Sequence, residues 1–185
     1  AAVRTADSLL ASAVPAGLTS VFLWGEPGSG KTHLLEAACR AAHATGMAPV
    51  YVSFADARGL PVDLLAGMEQ AVLVTLDDLH YIAGEAAWEA AIFRLYERMR
   101  ACGGVLLAAA SANPANLNIR LPDLATRLGA GLVYQLHLLA DEDKVAALRS
   151  RSANRGMEMS EEVARYVLAR YPRDMHALFQ LLDRV

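Results

Sequence analysis

The segment Gly25-Glu26-Pro27-Gly28-Ser29-Gly30-Lys31-Thr32 has the spacing G-x-x-x-x-G-K-[ST], and it constrains the fold more than any other stretch of the chain. Glycines at these positions let backbone N–H groups turn toward phosphate oxygens with no Cβ in the way. Lys31 can bring positive charge to the β- and γ-phosphates, and the Thr32 hydroxyl can bind Mg²⁺. The alternative is a glycine-rich turn that arose by chance.

The sequence around this segment supports a P-loop. An apolar run at 21–24 precedes it, and a helical pattern at 34–45 follows it and ends before Gly46. The N-terminus of such a helix favours anions. The strand, loop and helix together predict a site for ADP or ATP that consists of residues 25–32 and the adjoining His33.

Short apolar or β-branched runs alternate with alanine- and leucine-rich helical stretches, which predicts a parallel sheet covered by helices. The helix predicted at 85–100 ends before Gly103 and carries one apolar face, formed by Trp88, Ile92, Leu95, Tyr96 and Met99. The five predicted strands are 21–24, 49–54, 71–76, 105–110 and 132–136.

The pattern changes after residue 140, where strands give way to three predicted helices at 141–154, 160–171 and 174–184. Asp141 and Ser160 are expected to cap the first two of these helices. We therefore predict an α/β three-layer base over residues 1–138 and a small all-helical lid, complete or truncated, over residues 139–185.

Two adjacent acids, Asp77 and Asp78, end the strand predicted at 71–76. In a P-loop protein such acids lie at the sheet edge beside the phosphate loop. Asp77 is expected to hold Mg²⁺ through water molecules, and Asp78 to orient the attacking water. Alternatively, both are exposed acids at a strand end. His80 is interpreted as a polar surface residue rather than a base.

Composition narrows the range of partners and locations. The formal charge is −3, with 17 basic and 20 acidic residues, so tight binding of this chain alone to DNA is not expected.

Cys39 and Cys102 are expected to be reduced and buried. Reduced cysteines are typical of a cytoplasmic protein. No apolar run reaches the roughly 18 residues needed to span a bilayer. The start at Ala1, without Met, is interpreted as a cut or disordered edge.

The P-loop, the strand ending in Asp77-Asp78, the sheet segment ending in Ala110-Ser111 and the helical lid together resemble AAA+ ATPases. Residues 76–89 and 117–128 narrow this resemblance to the Hda family, DnaA-related proteins that inactivate the bacterial replication initiator. Residues 139–144 and 173–175 agree with it.

The resemblance assigns roles that spacing alone does not. Arg127 matches the arginine finger that reaches the nucleotide of a neighbouring subunit; the alternative is a surface arginine paired with Asp123. Arg173 matches the sensor 2 arginine that contacts nucleotide in cis, and its alternative is an ordinary helix N-terminal residue. Ser111 falls at the sensor 1 position, where DnaA-type proteins often carry Asp, and Asn113 is the alternative candidate.

The resemblance also implies a function. The chain would bind nucleotide, dock on ATP-bound DnaA and trigger ATP hydrolysis there, while held on the DNA polymerase sliding clamp by an N-terminal motif. No such motif is visible before Thr5. The leading alternative is a DnaA-like initiator or helicase loader that acts on DNA. Against it, segment 56–68 is short and no helix-turn-helix domain follows Val185. Slow intrinsic ATP hydrolysis and a homo-oligomer are left open.

Overall fold

The computed structural model describes residues 20–56, 59–171 and 175–183. The chain divides into two compact units, the first ending at Leu136 and the second beginning at His137. Each unit has its own buried core.

The first unit is built on a five-stranded sheet in which every described pairing is parallel and the strand order is β2-β3-β4-β1-β5. The parallel α/β fold expected from the alternating pattern is thereby confirmed. Since β1 lies between β4 and β5, its carboxyl end lies between theirs. The strands are β1 (Ser20–Trp24), β2 (Val50–Ser53), β3 (Leu73–Asp77), β4 (Val105–Ala110) and β5 (Leu132–Gln135).

Among the described residues, three α-helices accompany this sheet: α1 (Lys31–Ala44), α2 (Ala86–Cys102) and α3 (Pro122–Ala130). Helix α2 ends where expected, because Gly103 adopts a left-handed conformation (φ 73°) and the N–H of Gly104 returns to the carbonyl of Met99. Short 3₁₀ turns lie at Val62–Leu65, Met68–Gln70, Leu79–Tyr81 and Pro114–Asn116.

The two faces of the sheet bury different helices. Successive side chains of a strand point to opposite faces. In β1, Val21 and Leu23 therefore pack in the core that includes α1, whereas Phe22 packs in the core that includes α2 and α3. Every residue of β4 is buried, as a parallel sheet covered on both faces requires. The result is the predicted three-layer arrangement.

The second unit is helical, with α4 (Asp141–Ala153), α5 (Glu161–Arg170) and α6 (Met175–Asp183). Ser160 caps α5 as predicted, since its hydroxyl accepts a hydrogen bond from the N–H of Val163. Asp141 is not a cap: Ala140 holds that position and Asp141 begins the helix, where its charge still favours the helix N-terminus. The core of this unit contains Val145, Leu148, Ala164, Leu168, Leu178 and Leu182.

The prediction that both cysteines are buried is wrong for Cys102, which is exposed at the last residue of α2, while Cys39 is half-buried. Across the described residues, no helix is both long and apolar enough to cross a membrane.

Candidate nucleotide-binding site

The phosphate loop begins at Gly25, in a gap between the ends of two strands. The N–H of Gly25 donates to the carbonyl of Ala110 at 3.3 Å, at the end of β4. On its other side, a Cβ at this position would collide with the carbonyl oxygen of Leu136 and lie 2.9 Å from Ser29 Oγ. Glycine is required here because backbone approaches the loop from both sides.

The rest of the loop presents groups suited to an anion. Gly28 and Gly30 adopt left-handed conformations, with φ of 82° and 92°, and Glu26 and Pro27 form the exposed tip. Gly30 is the N-cap of α1 and supplies no side-chain cap to the first-turn N–H groups. Within the described chain the buried Ser29 hydroxyl has no hydrogen-bond partner. A helix N-terminus of this kind fits a phosphate group.

Lys31 is buried, and its ammonium group is held by the loop itself. Nζ donates to the carbonyls of Gly25 at 2.8 Å and Glu26 at 2.9 Å. Burial lowers the pKa of Lys31, and the nearby carboxylates of Asp77 and Asp78 oppose that shift. The structure therefore brings together the lysine and both acids that the sequence singled out.

Asp77 ends β3 and is 1% exposed. Its Oδ2 accepts a hydrogen bond from the Tyr51 hydroxyl at 2.9 Å, and its Oδ1 accepts one from the N–H of Asp78 at 2.8 Å. Burial and the charge of Asp77 raise the pKa of Tyr51, so the phenol stays a donor. Together with the exposed Thr32 hydroxyl on the first turn of α1, this carboxylate fits Mg²⁺, which takes few protein ligands beside phosphates and water.

Asp78 adopts a left-handed conformation with φ of 59°, and no other described non-glycine residue has a positive φ. Aspartate is among the residues that tolerate this conformation. Burial, reinforced by the charge of Asp77, raises the pKa of Asp78. His80 is half-buried rather than a surface residue, and its Nδ1 lies 3.9 Å from Asp78 Oδ1. A strained turn thus directs a second carboxyl group beside the first.

The other residues that were predicted to contact the nucleotide belong to different segments of the chain. His33 is in the first turn of α1, and Ser111 follows β4 directly, at the edge where Gly25 meets Ala110. The side-chain oxygen of Asn113, the alternative sensor 1 candidate, accepts the N–H of Ala115 in a local turn. Arg173 lies outside the described residues, so its sensor 2 role stays a prediction.

Arg127 lies on α3, away from these groups. The structure pairs its Nε with Oε1 of Glu97 on α2, at 2.8 Å, and not with Asp123, the partner in the alternative interpretation. The side chains of Arg127 and Glu97 are 39% and 37% exposed.

Sequence reasoning missed two polar residues, one at the site and one buried in α2. Tyr51 holds Asp77, and Glu89 is a carboxylate buried in α2. A signal for Glu89 existed, because it lies three residues before Ile92 and therefore on the apolar face of its helix. Nothing local marked Tyr51, whose partner is on the next strand.

Structures of DnaA are among the solved structures that resemble this chain in fold. AMPPCP-bound DnaA from Aquifex aeolicus matches with a TM-score of 0.75 and 22% identity, over 97% of this chain and 61% of that one. Domain III of the Thermotoga maritima replication initiation protein DnaA matches with a TM-score of 0.75 and 19% identity, over 95% of this chain and 78% of that one. This chain thus spans about three fifths of the Aquifex protein. Its fold and site define an AAA+ P-loop base accompanied by a helical lid.

The family model described as "Hda, lid domain" matches residues 141–185. An uncharacterized protein from Haemophilus influenzae is 40% identical over 163 residues, which cover 88% of this chain and 71% of that protein. The chain belongs to the Hda-like, DnaA-related family of AAA+ proteins.

Proposed function

We propose that this chain binds ADP or ATP with Mg²⁺, docks on ATP-bound DnaA and supplies Arg127 to trigger hydrolysis of the ATP that DnaA holds. Hydrolysis would inactivate the initiator and so prevent over-initiation of bacterial chromosome replication. The chain would act mainly on a partner's nucleotide, and its own hydrolysis, if Asp78 supports any, would be slow.

The position of Arg127 carries this proposal. Helix α3 ends at Ala130 and leads into Leu132, which pairs with Val21 at the amino end of β1. Lys31 instead follows the carboxyl end of β1, and Asp77 lies at the carboxyl end of β3. The two edges of a sheet with strands of this length are roughly 15–20 Å apart, so Arg127 is far from the chain's own phosphate loop.

A positive charge at this distance is suited to a neighbouring subunit. Head-to-tail contacts bring one surface of a protein against a different surface of the next. An arginine supplied across such a contact stabilises charge that develops in phosphoryl transfer and is worth about 10³–10⁵-fold in rate.

The chain's own nucleotide is proposed to lie on residues 25–33, with Lys31 at the β- and γ-phosphates and Ser111 at sensor 1. The Aquifex structure holds AMPPCP, an ATP analogue, on a related fold. Mg²⁺ would be held by Thr32 and Asp77, and Arg173 would contact the nucleotide from the lid.

The remaining proposals concern the surroundings of the protein. A tether to the polymerase sliding clamp through an N-terminal motif would raise the local concentration of the chain near DnaA. No such motif is visible before Thr5, and that part of the sequence lies outside the described residues. The chain would act in the bacterial cytoplasm, at the nucleoid through its partners.

The test measures ATP hydrolysis by ATP-loaded DnaA with loaded clamp and the full-length protein. Arg127→Ala is expected to reduce the stimulated rate nearly to that of DnaA alone while leaving ADP affinity unchanged. Arg100→Ala is the matched control, because Arg100 lies 3.8 Å from the same Glu97 yet is not proposed as the finger. Full stimulation by Arg127→Ala would refute the assignment.

The competing function is an initiator or helicase loader that binds DNA. A Thermotoga-like domain III fold alone does not separate the two, but the net charge of −3 favours the regulator. We expect weak binding to single-stranded and duplex DNA even at low salt. Tight binding whose affinity falls steeply with added salt would favour the loader instead.

A further inference from the structure

Glu89 is a buried carboxylate that the nucleotide site does not use directly. Its side chain lies among the core residues of α2, and the residue is 1% exposed. A charge in such a place is retained only when hydrogen bonds replace its water. The identity of the donors therefore indicates what this residue is for.

The donors come from two separate segments. Glu89 Oε1 accepts the N–H of Gly84 at 2.7 Å and that of Arg120 at 3.0 Å. Oε2 accepts the N–H of Arg120 at 3.0 Å and that of Leu121 at 2.8 Å. One carboxylate thus joins the loop after β3 to the segment that leads into α3.

The first segment is connected to the nucleotide site by a chain of backbone hydrogen bonds. The N–H of Tyr81 donates to the carbonyl of Asp78, and that of Ile82 to Leu79. The N–H of Glu85 then donates to the carbonyl of Ile82. A change in the backbone at Asp78, which already has a left-handed conformation, would therefore be passed along this loop to Gly84.

The second segment starts the helix that carries Arg127. Leu121 is the N-cap of α3, it makes no side-chain cap of its own, and Pro122 follows it. The Glu89 carboxylate supplies negative charge at this helix N-terminus, where it is favourable. Eight residues further along α2, or about 12 Å, Glu97 contacts Arg127 near the other end of α3. Two carboxylates of α2, Glu89 and Glu97, therefore contact the beginning and the last turns of α3.

We propose that Glu89 is a positioning residue that couples the nucleotide state of this chain to the orientation of α3 and its arginine finger. The consequence for the arginine finger rests on the proposed function. The coupling between the nucleotide site and α3 does not. Nucleotide that shifts the loop after Asp78 would move Gly84, and the shared carboxylate would pass that movement to Arg120 and Leu121.

The first experiment is amide hydrogen exchange over residues 118–130, measured with and without Mg-ADP. In the wild-type chain ADP is expected to change the exchange rate of this segment at least about threefold. In Glu89→Gln the change is expected to disappear while ADP still binds, because the amide NH₂ cannot accept the bonds that the carboxylate accepted. Glu85→Gln is the control, since its side chain is exposed and makes no cap bond.

Three results would overturn the coupling: no ADP effect over 118–130 in the wild type, an ADP effect that persists in Glu89→Gln, or loss of ADP binding by that variant. The last would make Glu89 part of the scaffold of the site. If Glu89→Gln does not fold, Glu89→Asp, which keeps the charge on a shorter side chain, is used instead. The comparison of wild-type exchange with and without ADP still tests the coupling.

The second experiment separates this inference from the proposed function. In the DnaA hydrolysis assay, Glu89→Gln should lower the maximal stimulated rate about tenfold without changing the concentration that gives half-maximal stimulation. A merely structural defect would shift both. If the wild type stimulates and Glu89→Gln matches it, the inference is wrong. If the wild type does not stimulate, the proposed function is wrong, and the exchange experiment still decides the coupling.

Discussion

Arg127 Nε lies 2.8 Å from Glu97 Oε1, and this ion pair joins α3 to α2 across 30 positions of sequence. Both side chains are more than one third exposed, so the pair is worth less than about 1 kcal/mol of stability. The pair sets the orientation of the guanidinium group but restrains that orientation only weakly. As the proposed finger, Arg127 could leave this partner at little cost.

Glu97→Gln should therefore increase the stimulation of DnaA-bound ATP hydrolysis by up to about fivefold, which corresponds to releasing about 1 kcal/mol of restraint. Its midpoint of urea unfolding should barely change. The control is Glu69→Gln, which breaks another ion pair of α2, with Arg98 at 2.9 Å, that does not include Arg127. Reduced stimulation in Glu97→Gln alone would mean that Glu97 presents the finger rather than restrains it.

Lys31→Ala should remove the stabilisation of the chain by ADP, because Lys31 is the proposed charged phosphate ligand of the loop. Ligand at 100 times its Kd stabilises a protein by about 2.7 kcal/mol, or roughly 5–10 °C in Tm for a chain of this size. Thermal unfolding with and without Mg-ADP measures the difference. Arg40→Ala, on the exposed side of the same helix, should keep the full shift, and an undiminished shift in Lys31→Ala would disprove the assignment of this loop.

Two glycines close together should respond oppositely to alanine. Gly129 lies within α3, and the space that a Cβ would occupy there is open, so Gly129→Ala should stabilise the chain by about 0.5–1 kcal/mol. At Gly131 a Cβ would collide with the carbonyl oxygen and hydroxyl of Ser20, so Gly131→Ala should cost about 1–3 kcal/mol. Urea unfolding followed by circular dichroism measures both, and equal effects would contradict the close approach of Ser20 to Gly131.

The two cysteines should be alkylated at different rates. Burial raises the pKa of the Cys39 thiol above its ordinary value of 9.0, and its Sγ lies 3.3 Å from Thr75 Oγ1. The thiolate is the reactive form, so a smaller fraction of Cys39 is reactive at pH 8. The alkylation rate of Cys39 should continue to increase as the pH rises above 9.0. Mass spectrometry after iodoacetamide treatment should find the exposed Cys102 modified first. Cys102→Ser should abolish the fast phase only, and faster labelling of Cys39 would contradict its half-buried position.

The fold was accessible from sequence because its signals are local. The glycines of residues 25–30 require particular backbone conformations, and apolar runs such as 105–110 must be buried on both faces of a sheet. Ser160 could be recognised as a cap because its partner is three residues away. Each of these features is decided within one turn or one strand.

The parts that sequence did not reveal depend on contacts between distant segments. Tyr51 meets Asp77 only because β2 and β3 pair in a register that places Ser53 beside Asp77. The alternative interpretation of Arg127 paired it with Asp123 in its own helix, whereas the structure pairs it with Glu97 on α2. Glu89 carries a charge that suggests a surface position, yet backbone N–H groups from two other segments keep it buried.

The hydrogen bonds that hold Asp77 have a consequence for metal affinity. With Oδ2 bound by the Tyr51 hydroxyl and Oδ1 by the N–H of Asp78, the carboxylate keeps one rotamer and one plane. The conformational entropy of this side chain is therefore lost when the protein folds rather than when a cation arrives. Each oxygen also has one lone pair already engaged, which favours contact through the cation's own water shell, as Mg²⁺ prefers. The carboxylate is preorganised, so ion binding does not have to order it.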